Sequence, residues 1–370
     1  MSRQNIGILC GGRSAEHEVS LQSALNVFDA VDRSRFNPLL IGIDKAGSWW
    51  VSLSGDLVSN VNDPRRICLA RPLTAAALLP NSKGMLAVKG QKPVKLDVIF
   101  PLLHGPFGED GTVQGLLKLA DVPFVGPGVL GSAAGMDKDV MKRLLRDAGI
   151  PIGKFFVLRA ESPDGPPQKS FAYAGAELGA PFFVKPANMG SSVGVSKVND
   201  ETEYIAAVRE AFKYDRKVIV EENISGREIE CAVLGNEDPR ASLPGEIRAA
   251  HDFYSYEAKY IDAGGAALII PAELPPETVK RVQDMAVRTF RALECQGLSR
   301  VDFFVRENGE ALVNEINTMP GFTRISMYPK LWAASGVPYT ELINRLIDLA
   351  VERFGQDDNR GTGGVTALIE

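Results

Sequence analysis

The chain has 370 residues, of which 45% are hydrophobic and 24% are charged, and its formal net charge is −5. These proportions are typical of a globular protein, and the length predicts two or three domains. The acidic balance excludes a general polyanion-binding surface, so we expect neither nucleic acid nor an anionic membrane as a partner. No apolar run is long enough for a spanning helix, and we expect no signal peptide.

The cysteine pattern predicts a cytoplasmic protein. Cys10, Cys68, Cys231 and Cys295 are far apart and show no C-x-x-C spacing. This pattern favours reduced, mostly buried cysteines over a disulfide framework or a zinc site.

The first part of the chain alternates strands with helices. The segments "NIGILC", "NPLLIGI" and "LDVIFPLL" are apolar enough for buried strands, and an amphipathic helix is predicted over Val19–Val31. Such alternation is typical of a parallel, helix-covered sheet, so we predict an N-terminal α/β domain over residues 1–136. The segment Ser52–Val94 has a weaker pattern, which is compatible with a hairpin.

A double glycine follows the first strand in "CGGRSAEHEVS", as in many nucleotide-binding domains. However, Glu16 and Glu18 lie at the start of the helix, where a phosphate would otherwise dock. The helix dipole favours glutamates at this end, so helix capping is an alternative to ligand binding for both residues. The absence of G-x-G-x-x-G argues against a dinucleotide-dependent oxidoreductase.

A second loop of interest, "PLLHGPFGEDG", follows the third buried strand. Loops at the carboxyl ends of parallel strands are where open α/β sheets bind ligands. The loop contains His104, which is one of three histidines in the chain. Since a lone histidine is usually structural, we expect at most a minor role in substrate binding for His104.

A small α+β unit is predicted over residues 137–233, beginning with the helix in "AAGMDKDVMKRLLRDAGIP". Its loop "KPANMGSSVGV" is not a P-loop, because it lacks G-K-[ST] and leads into a strand. Its N–H groups can fold over phosphates beside Lys185, although an isolated Gly-Ser loop is more often a flexible hairpin loop. In "VIVEENISGREIE", Glu221 and Glu228 can contact an adenine and a ribose, or can be solvated turn residues.

A third unit is predicted over residues 234–370 and contains two strong helices, "PPETVKRVQDMAVRTFRALEC" and "PYTELINRLIDLAVERF". Near its start, "YSYEAKYIDAGG" clusters three tyrosines with Lys259 before a glycine-containing loop. Such a cluster is usually packing, but Lys and Tyr at the end of a mobile loop can also close a site.

The segment "LSRVDFFVRENGEALVNEINTMPG" contains two strands flanking an Asn-Gly pair, which is a strong hairpin signal. If this pair forms a type I′ turn, Asp302 faces Glu315 and Arg300 faces Asn317, with all four side chains on one face. Opposed carboxylates repel each other unless a cation lies between them, and all-oxygen ligands suit Mg²⁺. A solvated polar face of an edge hairpin explains the same pattern equally well.

Together, these motifs resemble those of the D-alanine-D-alanine ligase family in the ATP-grasp superfamily. The resemblance follows the chain in order through "GGRSAEHEVS", "LLHGPFGEDGTVQG", "KPANMGSSVGV", "YEAKY", "GLSRVDFFV" and "NEINTMPGFTRISMYP". It implies an α/β (overall α+β) architecture, in which a Rossmann-like N-terminal domain precedes a two-part ATP-grasp fold. ATP is then expected between the antiparallel sheets of a central lid domain and a C-terminal domain.

The resemblance also implies a nucleotide site and a metal site. Lys138, Lys185 and Lys259 are expected at the phosphates or adenine, Glu221 and the backbone near Ile224 at the base, and Glu228 at the ribose. Asp302, Glu315 and Asn317 are expected to bind two Mg²⁺ ions, for which Mn²⁺ can substitute.

The implied reaction converts the carboxylate of one D-alanine into an acyl phosphate, which the amine of a second D-alanine then attacks. Donors are needed for the developing oxyanion. The resemblance implies that Glu16 recognises the ammonium of the first D-alanine and that hydrogen bonds link Glu16, Ser191 and Tyr260. It also implies that Arg300 and the Gly321 N–H bind the oxyanion, and that Ser326 binds the carboxylate of the second D-alanine.

Two other activities remain possible on this scaffold. A D-alanine-D-lactate ligase is the nearest alternative, although Tyr260 in "EAKY" matches the dipeptide-forming members. A non-catalytic nucleotide-binding regulator is the other, but such proteins usually lose the metal carboxylates that are present here. The family resemblance further implies a homodimer.

Overall fold

The computed structural model describes residues 3–160, 168–249, 266–323 and 325–365. Two of the predicted site residues, Lys259 and Tyr260, lie outside these ranges. The described residues form three main β-sheets together with helices, which confirms the predicted mixed α and β structure.

The N-terminal strands form one seven-stranded sheet and one separate pair. They are β1 (Gln4–Gly11), β2 (Phe36–Ile43), β3 (Trp49–Val51), β4 (Val58–Ser59), β5 (Cys68–Leu69), β6 (Thr74–Leu78), β7 (Met85–Val88), β8 (Val94–Lys95) and β9 (Val98–Pro101). The large sheet has the order β8-β7-β6-β3-β2-β1-β9, and β4 pairs only with β5.

Only the centre of this sheet is parallel. β1 pairs in parallel with β2 and β9, and its buried interior explains the nearly continuous apolar sequence. The remaining strands of the sheet pair antiparallel, so the prediction of a parallel sheet is wrong for them. The hairpin suggested within Ser52–Val94 is confirmed as β6 and β7.

Three helices accompany these strands, namely α1 (His17–Ala30), α2 (Thr112–Leu119) and α3 (Val129–Met136). The helix predicted over Val19–Val31 is confirmed to within two residues. Because α1 follows β1 and α2 follows β9, the loops that carry Glu16 and His104 emerge at the same edge of the sheet.

The second sheet is antiparallel, with the order β10-β13-β11-β12. Its strands are β10 (Phe155–Arg159), β11 (Phe182–Pro186), β12 (Ser196–Val198) and β13 (Lys217–Glu222), and the helices of this part are α4 (Lys138–Asp147), α5 (Phe171–Leu178) and α6 (Glu201–Phe212). The Asp137 side chain caps α4 by accepting hydrogen bonds from the N–H groups of Asp139 and Val140. The cap fixes Lys138 as the first residue of α4.

The third sheet has the order β17-β16-β14-β18-β19, with β15 paired to β14. Its strands are β14 (Arg227–Gly235), β15 (Arg240–Ala241), β16 (Gly245–Ala249), β17 (Ala266–Ile269), β18 (Gly297–Val305) and β19 (Ala311–Asn317), followed or interrupted by α7 (Pro276–Ala292), α8 (Met327–Ala334) and α9 (Tyr339–Val365). β14 pairs with β18 along its whole length. The predicted division after residue 233 therefore falls inside a strand of this sheet.

The hairpin of β18 and β19 has the predicted pairs but a different turn. Asp302 pairs with Glu315, and Arg300 pairs with Asn317. The predicted two-residue turn is wrong, because only Gly309 has positive φ and Val305 pairs with Ala311, which indicates a longer loop. A β-bulge between Asp302 and Phe303 shifts the register by one residue and so restores the predicted pairs at the carboxylates.

The thiols agree with the prediction of reduced cysteine. All four cysteines are free, and only Cys68 is exposed. Burial raises the pKa of Cys10 and of Cys231 to about 12, so these thiols are unreactive. No helix in the described part of the chain has the length and apolarity needed to cross a bilayer.

Candidate active site

Two adjoining cavities contain every predicted site residue that the structure describes. The inner cavity is lined by Glu16, His104, Ser191, Arg300, Glu315, Asn317, Gly321 and Ser326. The outer cleft, of about 290 Å³, is lined by Lys138, Lys185, Ser191, Glu221, Ile224, Glu228, Asp302 and Glu315. Since Ser191 and Glu315 line both, the two cavities meet at these side chains.

Glu16 lies at the start of α1 and links the N-terminal sheet to the loop between β11 and β12. The Ser191 hydroxyl donates a 2.5 Å hydrogen bond to the Glu16 carboxylate. The Glu16 side chain makes no capping bond to α1, which removes the capping alternative for this residue. Glu18 instead bonds to Lys45 at the surface, at 2.7 Å.

The bulged hairpin brings its charged side chains together beside the inner cavity. The Arg300 guanidinium donates two hydrogen bonds to Asp302, both 2.7 Å long, and lies 2.9 Å from the Glu230 carboxylate. The Asn317 amide donates to Asp302 at 2.9 Å, while Lys138 lies 3.4 Å from Glu315. The opposed carboxylates are therefore each paired with a cationic side chain.

This arrangement fits a divalent metal ion. Asp302 and Glu315 are directly opposed, with Glu315 lining both cavities and Asp302 lining the outer cleft. Their carboxylate oxygens are the ligand type that Mg²⁺ prefers. A flip of the Asn317 amide would present a third oxygen, since the two ends of an amide differ only in donor and acceptor. No cluster of three His, Cys, Asp or Glu side chains suited to a metal occurs among the described residues, and the predicted set indeed contains only two carboxylates.

A buried group of lysines surrounds Glu221 in the outer cleft. Lys185 lies 2.8 Å from one carboxylate oxygen of Glu221, and Lys142 lies 3.5 Å from the other. Burial opposes the ionisation of Glu221, but the neighbouring lysines hold its pKa below the ordinary value. The Lys138 ammonium donates a 2.8 Å hydrogen bond to the Met189 carbonyl, which places it beside the glycine loop. Positive charge is thus concentrated at one end of the cleft.

Gly321 and Ser326 form the far wall of the inner cavity. A Cβ atom at position 321 would lie 2.8 Å from the Ser326 Oγ, so any larger residue here would displace the Ser326 hydroxyl. Ser326 is the N-cap residue of α8, and its Oγ accepts a 3.0 Å hydrogen bond from the Thr323 N–H. A helix N-terminus of this kind favours a negatively charged group of a ligand.

The sequence did not indicate three charged residues in or behind the cavity walls, namely Lys142, Glu109 and Glu230. Glu230 is buried and faces Arg300, Lys142 is buried beside Glu221, and Glu109 lines the inner cavity. The alternation of β14 was a usable signal for Glu230, because it pairs with Asp302 across the strands. The sequence offered no comparable signal for Lys142, whose position depends on how α4 packs.

Comparison with known proteins identifies the family. The family model described as D-ala D-ala ligase N-terminus matches residues 5–127, and the one described as D-ala D-ala ligase C-terminus matches residues 144–348. The chain is also 53% identical to D-alanine–D-alanine ligase A of Escherichia coli over 361 residues, which cover 97% of this chain and 98% of that protein.

Solved structures agree with these matches. The D-alanine-D-alanine ligase from Coxiella burnetii has a TM-score of 0.85 and 35% identity, with 100% of both chains covered. The VanG D-Ala:D-Ser ligase from Enterococcus faecalis has a TM-score of 0.81 and 35% identity, with 94% of this chain and 100% of that chain covered. These relatives have the predicted ATP-grasp fold. The chain therefore belongs to the D-alanine-D-alanine ligase family.

Proposed function

We propose that this protein joins two D-alanines into D-alanyl-D-alanine, with the conversion of ATP to ADP and phosphate, for the synthesis of cell-wall precursors. The observation that carries the proposal is the meeting of the two cavities at Ser191 and Glu315. A nucleotide in the outer cleft would direct its terminal phosphate toward an amino acid in the inner cavity. Phosphate transfer and peptide-bond formation then share one reaction centre.

The outer cleft holds ATP in this proposal. Lys138, which is buried, and Lys185, which is partly buried, supply point charges for the phosphates. Backbone N–H groups of the glycine loop supply further donors. Glu221 and the backbone near Ile224 contact the adenine, and Glu228 accepts hydrogen bonds from the ribose. The ion pair between Lys185 and Glu221 holds the lysine ammonium in the outer cleft before the nucleotide binds.

The first step activates the amino acid in the inner cavity. Glu16 binds the ammonium group of the first D-alanine, and its bond to Ser191 draws the loop between β11 and β12 over the substrate. A carboxylate oxygen of D-alanine attacks the γ-phosphorus, the bond to the β–γ bridging oxygen breaks, and ADP leaves. The product is D-alanyl phosphate.

The second step forms the peptide bond. Ser326, at the N-terminus of α8, binds the carboxylate of the second D-alanine. After its ammonium has lost a proton, the amine attacks the acyl carbon to give a tetrahedral intermediate. Arg300 and the Gly321 N–H stabilise the oxyanion of this intermediate, which collapses with release of phosphate.

Asp302, Glu315 and Asn317 would hold two Mg²⁺ ions, with Mn²⁺ as a substitute. When bound, these ions neutralise phosphate charge and orient the phosphate groups. Arg300 and Lys138, which pair with these carboxylates, are then available to the substrate and the nucleotide. We further propose that the protein is cytoplasmic, which its free thiols support. We also propose that it is a homodimer, which the family resemblance supports.

A panel of amino acids tests the proposed function. With ATP and Mg²⁺ present, phosphate release should require D-alanine and should be at background with L-alanine, because the chain matches the models of the D-ala D-ala ligase family. Phosphate release can be followed continuously with a coupled assay. Phosphate release without any amino acid would contradict the proposal, and ATP binding without any turnover would identify a regulatory protein instead.

The same assay separates the related ligase activities. Product analysis at neutral pH with D-alanine plus D-serine, or D-alanine plus D-lactate, reports the choice of the second substrate. D-serine is included because of the similarity to a D-Ala:D-Ser ligase. We expect D-alanyl-D-alanine as the main product, and a dominant serine or lactate product would revise the specificity but retain the reaction class.

A further inference from the structure

The segment from Met319 to Phe322 connects β19 with the loop before α8 and forms a wall of the inner cavity. Met319 and Phe322 are buried at its two ends, and Pro320 and Gly321 lie between them. Proline fixes one backbone dihedral of this segment. A Cβ atom at position 321 would lie 2.8 Å from the Ser326 Oγ, so a larger residue there would displace that hydroxyl. The remaining freedom of the segment depends on how its buried ends are held.

Glu109 holds the N–H group at the first end. One carboxylate oxygen of Glu109 accepts a 2.9 Å hydrogen bond from the Met319 N–H, and the other accepts a 2.8 Å bond from the Gly105 N–H. Desolvation and the nearby Glu16 raise the pKa of Glu109 to about 8, although both hydrogen bonds favour its ionised form. Glu109 therefore ties the loop after β9 directly to the segment.

His104 and Ser23 hold the other polar groups. The His104 Nδ1 lies 2.9 Å from the Met319 carbonyl, and its Nε2 lies 3.1 Å from the Ser23 Oγ. The Phe322 N–H donates a 3.2 Å hydrogen bond to the same Ser23 oxygen. Because a carbonyl only accepts, Nδ1 carries the proton, and the Ser23 hydroxyl donates to Nε2 while its oxygen accepts from Phe322.

With a neutral His104 imidazole, each donor and each acceptor in this set of hydrogen bonds has a partner. Burial lowers the pKa of His104, in agreement with the neutral form. Both polar groups of Met319 and the N–H of Phe322 are thus held by three side chains. All three come from the first 110 residues, although the segment that they hold follows β19.

We infer that Ser23, His104 and Glu109 act as positioning residues that fix the Gly321 N–H for the oxyanion of the tetrahedral intermediate. The inference rests on the proposed function, in which Gly321 is an oxyanion donor. The N-terminal domain then has a second role besides binding the first D-alanine through Glu16. It sets the geometry of the acyl-transfer step from across the domain boundary.

The variants Ser23→Ala and Glu109→Gln test this role. Glutamine keeps the size of Glu109 but replaces one of its two acceptor oxygens with an NH2 group. Because the Met319 and Gly105 N–H groups bond to different oxygens of Glu109, one of them would then face a donor. A displacement of the donor by a fraction of an ångström should lower kcat by about 10-fold or more. The KM for ATP should stay within about twofold, and a phosphinate analogue of the tetrahedral intermediate should bind more weakly by the same factor as kcat falls.

Ser242→Ala is the matched control. Ser242 is also a fully buried serine, whose hydroxyl accepts from the Ala232 N–H and donates to the Leu243 carbonyl. Ser242 lines neither of the two cavities. The Ser242→Ala variant should lose about as much thermal stability as Ser23→Ala does, but its kcat should equal that of the wild type. Two results would overturn the inference: equal kcat losses in the two serine variants, or an unchanged kcat in both Ser23→Ala and Glu109→Gln. In either case, the proposed function would still stand if the wild type were active. A wild type without D-alanine-dependent turnover would overturn both.

Discussion

Replacement of Asp302 by Asn, or of Glu315 by Gln, is expected to abolish turnover and leave the fold intact. Each change keeps the shape of the side chain but removes one of the two negative charges that attract the divalent cation to the site. The loss of electrostatic stabilisation at the transferred phosphate should lower kcat by on the order of 10³-fold. The measurement is kcat at several Mg²⁺ concentrations, combined with a thermal unfolding curve.

Glu310→Gln provides the control for this prediction. Glu310 lies on the same hairpin and pairs with Arg306 at 3.3 Å, away from both cavities. The charge change is identical, but turnover should equal that of the wild type. Wild-type kcat in either Asp302→Asn or Glu315→Gln would contradict the assignment of the metal ligands.

Replacement of Arg300 by Lys is expected to lower kcat by about 10²-fold, with little effect on the KM for ATP. The guanidinium bonds to Asp302 through two nitrogen atoms and also reaches Glu230. Lysine keeps the charge but cannot reproduce this geometry, so the donor for the oxyanion is displaced. Steady-state kinetics with each substrate varied in turn measures the two parameters separately.

Arg306→Lys is the corresponding control, since Arg306 is on the same hairpin and its guanidinium pairs with the glutamates Glu222 and Glu310. It should retain full kcat. If Arg300→Lys kept a kcat within about threefold of wild type, positive charge alone would suffice at this position. The proposed hydrogen bond to the tetrahedral intermediate would then be wrong.

The sequence predicted the central part of the site because strand alternation is a strong constraint. The hairpin pattern placed Arg300, Asp302, Glu315 and Asn317 on one face, and the observed pairs confirm it. The turn was predicted incorrectly, and the pairs agree only because the bulge at Asp302 offsets the longer loop. Bulges have little sequence signature, so this agreement could not have been foreseen from the residues.

Contacts between distant parts of the chain were mostly beyond the reach of the sequence. The bond between Glu16 and Ser191 followed from the family resemblance and not from any local pattern. The bonds of Glu109 and His104 to Met319 join residues more than 200 positions apart, which no periodicity encodes. The minor role in substrate binding expected for His104 stays a prediction. The structure adds that its two ring nitrogens lie within hydrogen-bond distance of Ser23 and of the Met319 carbonyl.

Strand direction outside the parallel centre of the first sheet was also beyond what the sequence could predict. Short segments such as β7 and β8 contain few residues, so their direction depends on pairing with neighbours rather than on their own pattern. Likewise, β14 follows the last strand of the second sheet, β13, directly in sequence but pairs with β18 in the third sheet. Composition alone does not indicate which of two adjacent sheets a strand joins.

The transfer of oxygen from D-alanine to phosphate is the most direct test of the central claim. D-alanine with both carboxylate oxygens replaced by oxygen-18 is incubated with ATP, Mg²⁺ and the protein, and the products are analysed by mass spectrometry. A ligase that proceeds through D-alanyl phosphate should release phosphate containing one labelled oxygen together with an equal amount of D-alanyl-D-alanine. Unlabelled phosphate, or phosphate formed without dipeptide, would contradict the account.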